Sequence, residues 1–119
     1  MATQSFEAQV RHQPRIAIID LEGEIDSFAE DMLNYAYAEA ESRDPNVILL
    51  NFSKVDYINS TGIALIVSLL ARARKSKRRL LASGLSEHYV EIFQITRLVD
   101  FMSVFPDEAS ALSEGSKQL

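Results

Sequence analysis

Cysteine is missing from all 119 residues, and histidine occurs only twice. The first absence excludes disulfides, thiolate metal sites and cysteine nucleophiles together, and fits a reducing compartment. Glycine and proline are sparse, four and three residues, so no Gly/Pro-rich linker divides the chain, and no internal repeat is present. Long apolar runs are missing too. The longest, Ile63 to Leu70, is interrupted by Ser68 and is far too short to span a bilayer. The opening MATQSFEAQVRHQ lacks the apolar stretch behind positive charge that marks a secretory signal. The expectation is a cytoplasmic domain that does not insert in a membrane. Basic residues are outnumbered, 12 against 17 acidic, and the net charge of -5 argues against direct nucleic-acid binding.

What is present is an ordinary globular composition, 47% hydrophobic and 24% charged, at a length suited to one domain with a real core. Phe6 to Val10 alternates weakly, and Arg15 to Leu21 is a β-branched run. Pro14 favours a turn between them, so the two form an antiparallel hairpin that Gly23 ends. Ser27 with Glu30 gives a capping-box start to a first helix. Phe28, Met32, Tyr35, Ala36 and Ala40 supply its inward face. Asp44-Pro45-Asn46 breaks the helix before VILLNF, Val47 to Phe52, a central buried strand. A second helix follows over Thr61 to Ser76, then a strand over Arg79 to Ser83 closed by Gly84. Ser86 caps a third helix reaching about Thr96, a last strand lies within Val99 to Phe105, and Pro106 opens a final helix at its first position. Residues 113–119 read as a frayed tail behind a core of about 5–112. This order predicts one α/β domain with parallel strands joined by right-handed crossovers.

The stretch DYINSTGIALIV, Asp56 to Val67, concentrates the chemistry. A hydroxyl at Ser60 or Thr61 suits the start of a helix, and a cap alone accounts for it. A phosphate there would meet free N–H groups and the positive end of the macrodipole. Roughly two added negative charges would change docking more than folding. Gly62 lets another chain approach the backbone. Ile63, Ile66, Val67 and Leu70 form a stripe that faces the sheet. Leu65 and Leu69 point elsewhere, either onto a partner or under a neighbouring helix. No G-x-S-x-G elbow surrounds Ser60. His12 in the hairpin and His88 on the third helix are the only histidines, so a Ser60–His88 hydrolase is a remote reading. Asp20, Glu22, Glu24 and Asp26 cluster without an EF-hand pattern and read as a solvated turn, with no metal or cofactor expected. The run Arg72 to Arg79 holds six basic residues at a helix C-terminus, with no aromatic interleaved for base stacking.

Leu21-Glu22-Gly23-Glu24-Ile25-Asp26, then VILLNF, then VDYINSTGIALIVSL, resembles the STAS domain of bacterial anti-sigma factor antagonists over about Phe6 to Leu112. The resemblance implies a mixed sheet of four to five strands with an N-terminal antiparallel hairpin and about four helices, mainly on one face. It implies a non-enzymatic binding protein, a monomer or weak dimer, whose partners are an anti-sigma factor that is a serine kinase and a cognate phosphatase. The phosphoacceptor maps to Ser60, with Thr61 second. Asp26, Asn59, Ser60, Thr61, Gly62, Leu65 and Leu69 form the expected partner surface. Phosphorylated members usually carry Asp where this chain has Asn59. An unphosphorylated assembly module, stressosome-like or a lipid-transporter subunit, is the alternative.

Overall fold

The computed structural model describes residues 5–117. Its strands are β1 (Glu7–Gln13), β2 (Ile16–Ile25), β3 (Val47–Ile58), β4 (Arg79–Ser83) and β5 (Ser103–Phe105). Its helices are α1 (Glu30–Glu41), α2 (Ser60–Lys75), α3 (Glu87–Ile95) and α4 (Glu108–Ser116), with short 3₁₀ turns at Ser27–Ala29 and Leu98–Asp100. One five-stranded sheet runs in the order β1-β2-β3-β4-β5, with β1 antiparallel to β2 and the remaining pairs parallel. This is the mixed sheet and N-terminal hairpin that the sequence predicts.

Alternation along the strands builds two apolar layers. Ala17, Ile19, Ile48, Leu50, Phe52, Leu80 and Ala82 face one side, where Leu33, Ala36 and Tyr37 of α1, Ile66, Leu69 and Leu70 of α2, and Phe93 of α3 cover them. The intervening Ile16, Ile18, Val47, Leu49 and Leu81 face the other side and meet Ala111 of α4. Three helices therefore share the larger face and α4 alone covers part of the smaller one.

Several boundaries differ from expectation. Gly23 does not end β2; it sits inside it at φ +97°, where register shifts kink the strand and a Cβ would overlap the Ser5 carbonyl. β3 runs six residues past Phe52, to Ile58, because β2 continues beside it through the Ile25–Ile58 pair. Asp26, not Ser27, accepts the capping hydrogen bond, from the Phe28 N–H at 2.9 Å, and it caps the 3₁₀ turn rather than α1. Pro106 stands one residue ahead of the cap Asp107, whose carboxylate accepts from the Ser110 N–H. Ser113 to Ser116 are helical rather than frayed, since Gly115 lies against Leu81 and Val47; residues 118–119 lie outside the described residues.

The inward face of α1 also differs. Leu33, Ala36, Tyr37 and Ala40 are buried at i, i+3, i+4, i+7 spacing. Phe28 precedes the helix, and Met32 and Tyr35 fall on its opposite side, so all three point outward; Phe28 is 91% and Tyr35 78% exposed.

Candidate functional site

The β3–α2 junction is held to the end of β2 through one carbonyl. The Asn59 N–H donates to the Ile25 oxygen at 3.2 Å, and Gly62 packs on that same oxygen, so closely that a Cβ at residue 62 would collide with it and stand 2.9 Å from Ile58 Cγ2. Gly62 is thus buried against its own chain. The expectation that it opens the backbone to another chain is replaced by an internal close approach. A second tether comes from α3, where the Tyr89 hydroxyl accepts the Ile58 N–H at 2.8 Å. Neither Ile25 nor Tyr89 is visible as a site residue in the sequence, because a main-chain acceptor carries no side-chain signature and a helical tyrosine reads as core.

With the backbone fixed, Asn59 is the cap. Its backbone is extended, and its Oδ1 accepts the Gly62 N–H at 2.8 Å while its carbonyl takes the Ile63 N–H at 2.9 Å. Ser60 and Thr61 consequently occupy the first two positions inside α2, not the cap. Both are exposed, and neither hydroxyl bonds to any described residue. Their N–H groups precede the first intrahelical acceptor and point out of the helix end. The site is therefore an exposed nucleophilic hydroxyl on a helix N-terminus with two donors in reserve. No carboxylate lies in that first turn.

Asp26 follows Ile25 directly, which brings it beside the junction, but its carboxylate is engaged with Phe28 and makes no hydrogen bond to Ser60. The 3₁₀ turn carrying Phe28 packs against α2, and α1 packs along it. The face of α2 bearing Leu65, Leu69 and Arg72 turns toward α1: Arg72 stacks over the Tyr37 ring at 4.7 Å and bonds to Glu41 at 2.8 Å. Leu69 is accordingly 1% exposed and belongs to the core, and Leu65 is half-buried against it. The neighbouring-helix alternative holds for Leu69, and its expected exposure is corrected. Val67, assigned to the sheet-facing stripe, is instead exposed. The exposed large apolar side chains of these elements are thus Phe28 on the 3₁₀ turn, Met32 and Tyr35 on the outward side of α1, and Val67 on α2, in place of the two leucines.

His88 is exposed on α3, its ring edge-on to Tyr89 at 4.8 Å, and makes no hydrogen bond to Ser60. Among the described residues no group of three His, Asp or Glu side chains is placed to hold a metal. Asp20 is bonded to Arg11 at 2.6 Å and to Asn51 at 2.8 Å, and the Arg11 guanidinium holds its carboxyl below the usual range. No helix among the described residues is long and apolar enough to cross a membrane.

The sequence model described as the STAS domain matches residues 7–111. This chain belongs to the STAS domain family. Among its relatives is the anti-sigma-B factor antagonist of Listeria monocytogenes, 27% identical over 100 residues that cover 84% of this chain and 87% of that one. Among solved structures, an anti-sigma factor antagonist from Mycobacterium paratuberculosis superposes with a TM-score of 0.83 at 17% identity, covering 97% of each chain. The Bacillus cell fate determinant SpoIIAA in its phosphorylated form superposes with a TM-score of 0.70 at 20% identity, covering 90% of this STAS chain and 97% of that one.

Proposed function

We propose that this STAS domain is an anti-sigma factor antagonist. It captures an anti-sigma factor on the surface formed by the start of α2 and the outward side of α1, and phosphorylation of Ser60 switches it off. The observation that carries this reading is the unpartnered, exposed Ser60 hydroxyl at the first position of α2, with exposed Val67 two turns along the same helix face and exposed Phe28 on the 3₁₀ turn that packs against α2. Isolated exposed apolar residues are common, but Phe28, Met32, Tyr35 and Val67 belong to three mutually contacting elements, one of which begins at a modifiable hydroxyl, and this supports a docking role for them. The names of the Listeria and Mycobacterium proteins support the partner class, and the phosphorylated SpoIIAA structure supports a covalent switch on this fold.

Electrostatics supplies the switching mechanism. The N–H groups of Ser60 and Thr61, with the dipole of a 16-residue helix behind them, stabilise a dianion where it is attached, so the fold is retained. The same dianion sits in the docking surface, where a partner would have to desolvate it. Asn59 keeps the capping function through its amide oxygen, and the first turn stays free of carboxylates that would repel the phosphate. Thr61 is exposed as well and is the second acceptor.

Incubation with an anti-sigma factor kinase and ATP should add one phosphate, seen by intact mass, and Ser60→Ala should abolish it. Phosphate retained in Ser60→Ala and lost in Thr61→Ala would move the acceptor, and no transfer to the wild-type chain would remove the switch.

A further inference from the structure

The far end of α2 presents the opposite chemistry. Half of the molecule's twelve basic residues lie between Arg72 and Arg79, in a chain whose net charge is -5. Arg72 is answered by Glu41 and Arg78 by Asp44. Arg74, Lys75, Lys77 and Arg79 have no carboxylate partner among the described residues.

Three of these arginines enclose a cavity of about 180 Å³, lined by Arg74, Arg78 and Arg79 with Phe101, Ser103 and the apolar side chains of α2 and β4; no acidic residue lines it. Arg74 stacks over the Phe101 ring at 5.0 Å, which holds one wall. Within the cluster, Nε of Arg78 and Nη1 of Arg79 are buried and donate to nothing. A buried guanidinium N–H without an acceptor is costly, and the cost is relieved when an oxyanion supplies lone pairs and the flexible side chain swings to meet it.

Complementing the helix dipole does not account for this arrangement. Arg72, Arg74 and Lys75 already occupy the last turn of α2. Its terminal carbonyls are taken by the N–H groups of Ser76, Lys77 and Arg78. Arg78 and Arg79 lie beyond the helix, half-buried, at the entry to β4.

We propose that this cavity binds a phosphate-sized oxyanion, free or as the terminal group of a small phosphomonoester. Arg74 and Arg79 supply the unpaired charge, and the Arg78 Nε–H and the Ser103 hydroxyl further donors. The volume admits a phosphoryl group with room for a small ester beside it, and the carboxylate-free lining selects for an anion. The site stands at the opposite end of α2 from Ser60, about 22 Å away along the helix axis, so a ligand can occupy it without covering the hydroxyl.

The test is an NMR titration of the full chain with inorganic phosphate and, separately, glycerol 2-phosphate, at ionic strength held constant with sodium chloride. The arginine Nε–H signals are followed. Saturable shifts at Arg78 and Arg79 are expected. Arg79→Gln should raise the dissociation constant by roughly tenfold or more, and Lys54→Gln, within β3 and outside the cavity lining, should leave it unchanged. Arg74→Gln, an exposed position whose loss does not threaten folding, should weaken binding as well. Tighter binding of the monoester would identify a phosphorylated metabolite as the source, and equal binding the free anion; either supports the site. The absence of saturation with both, or equal affinity in wild type, Arg79→Gln and Arg74→Gln, would overturn it.

Discussion

Ser60 and Gly62 stand two residues apart and do different work. The glycine supplies geometry: without a side chain it lets the first turn of α2 rest on the Ile25 carbonyl, and this presses the junction into the shape that leaves Ser60 outward. Gly62→Ala gains about 1 kcal/mol of helix propensity, but the overlap with Ile25 and Ile58 forces the helix off its seat, an overpacking cost of about 1–3 kcal/mol. Chemical denaturation should show net destabilisation, and an unchanged midpoint would mean that the seat yields. Asp20 gives a prediction in pH. Its folded pKa lies below the usual 3.8, held there first by the hydrogen bond from Arg11. A carboxyl with a depressed folded pKa contributes stability that is complete above its unfolded pKa and is lost as pH falls through the folded one. The stability of this chain should therefore fall below about pH 4, and Asp20→Asn should flatten that part of the profile measured by thermal unfolding. A profile identical to wild type would take Asp20 out of the acid response.

For the elements, the sequence carried the order and type of every strand and helix, because strand alternation and capping residues are local signals. What it misassigned was rotation. On α1, the spacing of Phe28, Met32, Tyr35, Ala36 and Ala40 predicts one face, yet Leu33, Ala36, Tyr37 and Ala40 satisfy the same spacing and are the ones buried. On α2, the buried set Ile66, Leu69, Leu70 and Ala73 is turned away from Val67 and toward α1. Both errors have one cause: a helix with apolar residues around most of its circumference does not encode which side its neighbour takes. The Arg72–Tyr37–Glu41 contact that fixes the rotation joins residues distant in the chain. The candidate site was legible at Ser60, since a hydroxyl near a helix start is a local feature, and illegible at Ile25 and Tyr89. The two rotations make separable predictions. Leu69→Ala should destabilise the fold by about 2–5 kcal/mol, whereas Tyr35→Glu should leave the unfolding free energy within about 0.5 kcal/mol of wild type and weaken capture of the anti-sigma factor. Denaturation and binding curves on both variants check this, and a destabilised Tyr35→Glu with normal binding would reverse the assignment.

Taken as a whole, the molecule is an acidic STAS domain whose two proposed functional surfaces lie at the two ends of one helix. The N-terminal end of α2 carries an exposed hydroxyl, and the C-terminal end gathers half of the basic charge. Ser60 is exposed and makes no contact that the fold depends on, so under the proposed function its modification acts on what the domain binds rather than on whether it folds. The most direct test measures the affinity of the chain for its anti-sigma factor before and after stoichiometric phosphorylation at Ser60, with circular dichroism on both forms. Binding weakened by roughly tenfold or more, with unchanged secondary structure and melting, is the predicted result. Equal affinity of the two forms would contradict the switch at its centre.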